Sequence, residues 1–400
     1  MPSVSFINAQ IVTPDGIVAG TLTCDGETIT AIETGAVPDR VSGDRSGDRL
    51  SGDRVSGEIV DVAGGYLLPG FIDTQVNGGG GVLFNDDTTV SGIAAIGRAH
   101  RLYGTTGFLP TLISDEIEVI DAAMRATEQA IEAGVPGVLG IHIEGPFISK
   151  DRKGIHNPDM FRTLDADSKA LLKSLKRGRT LVTLAPENCT PADISELRDS
   201  GVLVAAGHTN ATYETAVAAL KAGVTSFTHL FNAMSPMTHR APGVVGAALE
   251  DQTAWCGLIA DGRHVDWAVL RIALRARPID RFMLVTDAMP TVGSKQKTFM
   301  LNGKRIHVEN GVCVDDNGTL AGSDLDMADA VRNVVRMVGR SLPEAALMAA
   351  TAPARFLGLD AERGSLATGH RADIVWLDKK LNLKGTFIGG VGIAKELTDA

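Results

Sequence analysis

The chain has 400 residues, 44% of them hydrophobic and 4% aromatic, and carries a formal net charge of −10 at pH 7. This length supports a large hydrophobic core, and the acidic balance argues against a nucleic-acid or anionic membrane partner. The sequence contains no apolar run long enough to span a bilayer, and its four cysteines are scattered without a C-x-x-C pair. We therefore expect a reduced, cytoplasmic protein without a secretory signal.

Residues 1–65 alternate polar and apolar positions in short stretches, separated by turn signals such as Pro14-Asp15-Gly16 and Asp25-Gly26. This pattern predicts the N-terminal part of a small β-sandwich domain. The tail, residues 363–400, returns to strand-like patterns. We expect the tail to pair with the N-terminal segment, so that both chain ends build the small domain.

Residues 42–57, inside the N-terminal segment, repeat Ser-Gly-Asp-Arg almost without variation. The repeat has few side chains to bury and balances its own charges, which predicts a flexible insertion in a loop. We expect no catalytic role for it, and a binding role is the less favoured alternative.

Residues 66–362 alternate strand-like stretches with helix-length stretches. The eight strand candidates are residues 66–75, 104–113, 137–144, 179–187, 201–208, 224–230, 254–261 and 282–288. Eight such units predict a (β/α)8 TIM barrel. The alternative, an open doubly wound sheet, gives no reason for polar residues at the C-terminal ends of nearly all the strands. In a barrel these ends face one mouth, where catalysis takes place.

Beyond the eighth strand, short strand-like pieces follow one another before the helical pattern resumes. They lie at residues 298–301, 305–308, 309–314 and 320–323. Helices are predicted at 327–338 and 341–351, the second with a capping box formed by Ser341 and Glu344.

Three side chains at successive strand ends are candidate metal ligands: Glu144, His208 and His229. One carboxylate and two imidazoles leave a coordination position open, which is typical of a catalytic divalent site. We predict one divalent ion, preferably Zn²⁺, although such a ligand set accepts several ions. The alternative is three separately hydrogen-bonded core residues.

The first strand places Asp73, Gln75 and Asn77 on one face, because side chains alternate along a strand. Gln and Asn are poor ligands for a transition metal and are better suited to orient water or substrate, so a second metal is not expected. Asp287, at the end of the eighth strand, suits a general base that later protonates the leaving group. A turn or helix cap is the alternative for Asp287.

Three loop residues are candidates for substrate contacts. His156 lies in K-G-I-H-N-P after the third strand, where it can donate to a substrate carbonyl. Arg240 and His264 are loop cations that together can hold a phosphate. For Arg240 the alternative is a solvated surface charge.

Eight motifs carry a resemblance to a known family, and they span about residues 60–325 in the family's order. They are P-G-F-I-D-T-Q-V-N-G, H-I-E-G-P-F, K-G-I-H-N-P, G-H-T-N-A, T-H-L-F-N-A-M, A-D-G-R-H-V, V-T-D-A and L-A-G-S. Each motif is weak alone, but the ordered set is specific. The sequence resembles the N-acetylglucosamine-6-phosphate deacetylase family of the amidohydrolase superfamily.

The resemblance implies hydrolysis of the acetamido group of N-acetyl-D-glucosamine 6-phosphate to glucosamine 6-phosphate and acetate, in amino-sugar catabolism and recycling. It implies the metal ligands named above, Asp287 as acid/base, and His156 polarising the acetyl carbonyl. The implied substrate contacts are Gln75, Ile155, His156, Asn232, Ala233, Arg240, Asp261, His264, Leu320, Ala321 and Gly322. Family members are usually homo-oligomers, so a dimer or tetramer is expected, with one phosphate ligand crossing the interface. Gln75-x-Asn77 places the chain with the members that bind one metal.

Other functions stay open at this point. The nearest is deacetylation of N-acetylgalactosamine 6-phosphate or another N-acylated sugar phosphate, since one hydroxyl orientation separates the two hexosamines. A catalytically inactive barrel used for binding is a further alternative. A cyclic-amide hydrolase is disfavoured, because the first strand lacks a His-x-His pair and residues 180–187 lack a lysine.

Overall fold

The computed structural model describes residues 3–35 and 57–394. All but the last residue of the predicted Ser-Gly-Asp-Arg insertion, residues 42–57, therefore lies outside the described residues, as do residues 395–400. Within the described ranges, no helix has both the length and the hydrophobicity needed to cross a membrane.

Eight parallel strands form the predicted barrel, each paired with its neighbours in chain order. Their bounds are Phe71–Val76, Thr105–Ile113, Gly140–Glu144, Arg179–Leu184, Leu203–Ala206, Ser226–Phe227, Trp255–Leu258 and Phe282–Leu284. The first three strands are buried at every position, as expected for parallel strands packed on both faces. The first and last strands meet through backbone hydrogen bonds from Asp287 to Gln75 (3.0 Å) and from Asn77 to Ala288 (2.9 Å). The TIM-barrel prediction is confirmed.

The predicted first strand, residues 66–75, is in fact two strands that belong to different sheets. Tyr66–Pro69 pairs with Ser3–Thr13 and Ile374–Leu377 in the terminal sheet, whereas Phe71–Val76 begins the barrel. The chain changes sheet at Gly70, where a Cβ would come within 2.1 Å of the Thr106 side chain. Burial is continuous across this point, so the hydrophobic pattern does not reveal the change. The domain bounds after residues 65 and 362 stay a prediction.

Helices cover the outside of the barrel and alternate with its strands. Their bounds are Val90–Arg101, Ile117–Glu132, Ala166–Leu172, Pro191–Asp199, Tyr213–Ala222, Gly243–Glu250, Trp267–Ala276, Met327–Asn333, Leu342–Ala346 and Ala352–Phe356. The π-helical segments Val334–Val338 and Leu347–Thr351 continue two of them. The predicted capping box of Ser341 and Glu344 is present, and Thr190 and Asp193 form another. Such caps satisfy the free N–H groups of the first helical turn.

The two chain ends build the small domain. Its strands are Ser3–Thr13, Gly16–Asp25, Thr28–Thr34, Glu58–Asp61, Tyr66–Pro69, Ile374–Leu377, Leu383–Ile388 and Val391–Ala394. The sheet folds over a core of its own, and an edge-to-face contact joins Phe6 in the first strand to Phe387 near the C-terminus, with ring centroids 4.8 Å apart. The β-sandwich built from both ends is therefore confirmed.

A four-stranded antiparallel sheet, which we call the insert, follows the eighth barrel strand. Its strands are Thr298–Leu301, Lys304–Glu309, Val312–Asp315 and Leu320–Ser323. The insert packs an apolar face of Leu301, Ile306 and Ala321 against Ile113 and Met289 from the barrel mouth. This packing brings the last strand of the insert to the edge of the mouth.

Candidate active site

A cleft lies at the C-terminal mouth of the barrel. Its floor is made by residues at the ends of four strands. Glu144 is the last residue of the third strand, His208 and His229 follow the fifth and sixth strands, and Asp287 follows the eighth. All four line the cleft, as residues at strand ends do in this fold. Glu144, His208 and His229 are buried, and Asp287 is half-buried.

The ligand atoms of Glu144, His208 and His229 converge. Oε1 of Glu144 lies 3.0 Å from Nε2 of His229 and 3.3 Å from Nε2 of His208, and the two Nε2 atoms are 3.1 Å apart. A tetrahedral ion with ligand distances of about 2.0–2.1 Å separates its ligands by about 3.3 Å. The predicted trio therefore has the spacing of a set of metal ligands.

His156 also approaches this group. Glu144, His156 and His208 each offer a ligand atom within 4.8 Å of the others, so a second trio competes with the predicted one. The hydrogen bonds of the rings distinguish His156 from the other histidines. The backbone N–H and the hydroxyl of Ser114 approach Nδ1 of His156 at 3.3 and 2.8 Å. Because an amide N–H only donates, Nδ1 accepts, and the neutral ring carries its proton on Nε2, on the cleft side.

His208 has the opposite tautomer. Its Nδ1 lies 2.9 Å from the carbonyl oxygen of Arg152, which only accepts, so Nδ1 carries the proton and the neutral ring has a lone pair on Nε2. Such a bond to a carbonyl is how proteins orient metal-binding histidines. The tautomer of His208 therefore suits it to bind a metal through Nε2, whereas the tautomer of His156 suits it to donate a hydrogen bond from Nε2.

The charges in the cleft are set by burial and by neighbouring groups. Burial alone would raise the pKa of Glu144, but the imidazole rings of His208 and His229 beside the carboxylate outweigh burial and hold that pKa well below its usual value. Burial holds the pKa of His156 well below its usual range, so this ring is neutral. Burial would lower the pKa of His229, but the hydrogen bond to Glu144 and the charge of that carboxylate outweigh burial and raise it. Because a metal ligand must be deprotonated, an ion bound at the trio would replace a proton held between Glu144 and His229.

Asp287 faces the trio and is held by two amide side chains of the first strand. Nδ2 of Asn77 donates to Oδ1 of Asp287 at 2.6 Å, and Nε2 of Gln75 approaches the same oxygen at 3.3 Å. Nε2 of Gln75 also donates to both oxygens of Glu144 at 3.1 Å. Burial and the nearby Glu144 carboxylate raise the pKa of Asp287. A raised pKa is suited to a group that must both accept and return a proton near neutral pH.

Backbone strain is concentrated at these strand ends. His208, His229 and Asp287 have positive φ angles of 46°, 30° and 53°. Non-glycine residues rarely adopt this conformation, which costs on the order of 1–3 kcal/mol and persists only where the surroundings hold it. The strained backbone at these three residues lowers the stability of the fold, but it directs their side chains into one cleft.

Most residues predicted to contact the substrate do line the cleft. Those that do are Ile155, His156, Asn232, Ala233, His264, Leu320, Ala321 and Gly322. Gln75, Asp261 and Arg240 are not among the lining residues. The side-chain amide of Gln75 instead makes hydrogen bonds to the carboxylates of Glu144 and Asp287.

Asp261 and Arg240 do not line the cleft, for different reasons. Oδ2 of Asp261 accepts a hydrogen bond from Nδ1 of His264 at 2.6 Å, and its other oxygen accepts from backbone N–H groups of the same turn. It therefore orients His264. Arg240 is exposed on a loop closed by hydrogen bonds between Thr238 and Ala241.

Four lining residues were not in the predicted set: Asn77, Ile113, Gly154 and Met289. Asn77 was predicted to orient water or substrate without being assigned to the site. Ile113 is the last residue of the second barrel strand, and Met289 lies two residues after Asp287. Their positions near the C-terminal ends of strands could therefore have indicated that they line the cleft. Gly154 precedes the loop residue His156 by two, and only the course of that loop brings it to the cleft.

The comparison with known proteins agrees with this geometry. The sequence profile of the Amidohydrolase family matches residues 66–392, and the chain belongs to this family. The chain is 43% identical over 326 residues to the N-acetylgalactosamine-6-phosphate deacetylase of Shewanella sp. (strain ANA-3), with 82% of each protein covered. It is 36% identical over 334 residues to the N-acetylglucosamine-6-phosphate deacetylase of Haemophilus influenzae, covering 83% of this chain and 87% of the relative.

The same likeness holds for a solved structure. The crystal structure of N-acetylglucosamine-6-phosphate deacetylase from Pasteurella multocida superposes with a TM-score of 0.91 at 34% identity. The superposition covers 98% of this chain and 100% of that one. The resemblance predicted from the eight motifs is therefore confirmed.

Proposed function

We propose that this protein hydrolyses the acetamido group of N-acetyl-D-glucosamine 6-phosphate, releasing acetate and glucosamine 6-phosphate, in amino-sugar catabolism and recycling. The observation that carries the proposal is the cleft itself. In it Glu144, His208 and His229 lie within 3.3 Å of one another and Asp287 faces them. The likeness to deacetylases of both hexosamine phosphates supports this reaction.

Glu144, His208 and His229 would hold one divalent metal ion, for which we propose Zn²⁺. Their spacing fits such an ion, and Nε2 of His208 is unprotonated and can coordinate it. Nε2 of His156 carries a proton and cannot coordinate an ion in this tautomer. When bound, the ion lowers the pKa of a coordinated water and polarises a carbonyl. Gln75 and Asn77 offer amide groups where a second metal would need imidazole or carboxylate ligands, so one ion per chain is proposed.

The side chains supply the proton transfers. Asp287 accepts a proton from the attacking water and returns it to the amide nitrogen as the carbon–nitrogen bond breaks, so water adds across that bond and no proton is lost. Nε2–H of His156 donates to the acetyl oxygen as negative charge develops there, the usual task of an oxyanion donor. Asn77 and Gln75 keep Asp287 oriented between these two steps.

The sugar phosphate would occupy the rest of the cleft. Ile155, Leu320, Ala321 and Gly322 offer its walls, and Asn232 and Ala233 offer polar backbone and amide groups. We propose that His264, oriented by Asp261, and Arg240, on the exposed loop that follows Ala233, bind the 6-phosphate. A homo-oligomer, a dimer or tetramer in the cytoplasm, is proposed from the family resemblance.

A second substrate is favoured by one observation. The relative that is 43% identical is an N-acetylgalactosamine-6-phosphate deacetylase, whereas the N-acetylglucosamine-6-phosphate deacetylase from Haemophilus influenzae is 36% identical. The two sugars differ in one hydroxyl orientation, so the same cleft and chemistry serve either. N-acetylgalactosamine 6-phosphate is therefore the alternative substrate.

A substrate panel tests the proposal. Free amine and acetate are measured with both N-acetylhexosamine 6-phosphates and with both sugars lacking the phosphate. We expect turnover of N-acetylglucosamine 6-phosphate and at least a tenfold preference over N-acetylglucosamine, since a lost phosphate contact costs roughly 1.4 kcal/mol or more. Faster turnover of N-acetylgalactosamine 6-phosphate would support the alternative. No amine release from any compound would refute deacetylation.

A further inference from the structure

Asp73 is a buried carboxyl at the junction of the first and eighth barrel strands, outside the cleft lining. Its Oδ2 accepts a hydrogen bond from the hydroxyl of Thr286 at 2.5 Å. Its Oδ1 accepts from the backbone N–H groups of Gln75 at 3.1 Å and Thr286 at 3.3 Å. Asp73 and Thr286 are both 0% exposed. These bonds tie the two strands together where regular backbone pairing is sparse.

Thr286 is next to Asp287, and its hydrogen bonds extend to the insert. The hydroxyl of Ser323 donates to the carbonyl oxygen of Thr286 at 2.6 Å, and the Thr286 hydroxyl accepts from the backbone of Ala288 at 3.2 Å. Of the two peptide groups that flank Asp287, one is therefore held by the insert and the other by the Thr286 side chain.

The backbone of Asp287 is itself held on both sides. Its N–H donates to the carbonyl oxygen of Gln75 at 3.0 Å, and its carbonyl oxygen accepts from the N–H of Ser323 at 2.9 Å. These bonds keep the residue at its strained φ of 53°. Loss of them would allow the backbone to relax and move the carboxylate, because a strained conformation persists only while its surroundings impose it.

We propose that Asp73, Thr286 and Ser323 form a positioning unit that holds Asp287 in the orientation its proton transfers require. None of the three lines the cleft, so they act through Asp287 and not on the substrate. The inference rests on the proposed function, in which Asp287 is the acid/base.

Thr286→Val is the central test, because valine keeps the shape of threonine and removes only the hydroxyl. We expect kcat to fall about 10- to 100-fold, as for a catalytic group displaced by about 1 Å. KM for the sugar phosphate is expected to stay within about twofold, and the metal content to stay unchanged, because neither the cleft walls nor the trio contact Thr286. Thr286→Ser keeps the hydroxyl and should restore kcat to within about threefold of the natural protein.

Thr351→Val is the matched control. It also removes a buried hydroxyl–carbonyl hydrogen bond, 2.6 Å to Gly364, but beside Pro69, on the side of the barrel where the chain enters the first strand. It should lower the melting temperature to a similar extent as Thr286→Val while kcat stays unchanged. A kcat for Thr286→Val within twofold of the natural protein, or equal kcat losses in Thr286→Val and Thr351→Val, would overturn the inference.

The two proposals fail in different ways. If the natural protein releases acetate and Asp287→Asn does not, deacetylation by Asp287 stands, and a fully active Thr286→Val then refutes only the positioning unit. If Asp287→Asn keeps full turnover, the acid/base role is lost and the positioning unit is refuted with it. The kcat and KM values of the four variants separate these outcomes.

Discussion

Asp287 illustrates how much of the chemistry depends on the surroundings of a single residue. A carboxyl after a strand is an ordinary turn or capping residue. Here it is half-buried at the floor of a cleft, accepts a hydrogen bond from Asn77 at 2.6 Å, and lies close enough to Glu144 for the two carboxylates to interact. Burial and this neighbour raise its pKa, and such a shift in a group that faces a cleft is typical of a proton-transfer residue.

Replacement of Asp287 by Asn should abolish most of the activity without preventing binding. The amide keeps the shape but cannot take a proton, so we expect kcat to fall by about 10²- to 10⁴-fold. Sugar phosphate binding, measured by calorimetry, should stay within a few-fold of the natural protein. Asp378→Asn, on an exposed turn of the small domain, is the control and should keep full activity. Full turnover in Asp287→Asn would remove this residue from the mechanism.

The two histidine trios make opposite predictions for metal content. Because Nδ1 of His156 accepts from the Ser114 N–H, we expect His156→Ala to keep about one metal per chain and to lose about 10²- to 10³-fold in kcat. His229→Ala removes a proposed ligand and should lose both metal and activity. Measuring the metal content per chain of the two purified variants shows whether His229 or His156 is the third ligand. Loss of metal from His156→Ala alone would make His156 the ligand in place of His229.

At the scale of elements, the backbone of the insert closely approaches the backbone of Asp287 at the end of the eighth barrel strand. Gly322, in the last strand of the insert, has a φ of 72°, and a Cβ there would lie 2.7 Å from the carbonyl oxygen of Asp287. Only glycine allows this approach, because other residues bring a Cβ and avoid this backbone conformation. The insert therefore helps to form the cleft wall and to hold Asp287.

Gly322→Ala should damage both stability and activity. We expect a loss of about 2–4 kcal/mol in the free energy of unfolding and a fall in kcat, because the backbone of Asp287 must move. Gly318→Ala is a matched control in the turn before the same strand. Its φ is 78° but nothing lies within 4 Å of the added Cβ, so it should cost only about 1–2 kcal/mol and leave kcat unchanged. Urea denaturation and steady-state kinetics test both. Equal effects of the two changes would contradict the close approach.

At the scale of the whole molecule, the proposed metal site joins three strands that are distant in the chain. An ion bound to Glu144, His208 and His229 links the third, fifth and sixth barrel strands. Anything that binds only the folded state stabilises it, by about 4 kcal/mol when the free ion is at 1,000 times its dissociation constant.

Removal of the metal should therefore be visible in stability as well as in activity. Treatment with a chelator is expected to lower the melting temperature and to abolish amine release, and added Zn²⁺ should restore both. His229→Ala, which lacks one proposed ligand, should show no shift in melting temperature with the ion. An unchanged melting temperature in the chelated natural protein would argue against a metal held by these strands.

The barrel and the core of the site were predictable because both are set by local patterns. Continuous apolar stretches predict buried parallel strands, and a polar residue at the end of such a stretch predicts a group at the mouth. These patterns place Glu144, His208, His229 and Asp287 at the mouth of the barrel. They do not separate Tyr66–Pro69 from the first barrel strand, since both stretches are apolar and the change of sheet at Gly70 leaves no mark on the pattern.

The sequence by itself determined the order of strands and helices, the residue types at the strand ends and the family, because these depend on composition and on the spacing of side chains along the chain. Only the tertiary structure decided what each polar group faces. It turned Gln75 toward two carboxylates, used Asp261 to orient His264, and set the tautomers of His156 and His208 through Ser114 and Arg152. Hydrogen bonds between residues far apart in the chain depend on distances and angles that form only when the barrel closes.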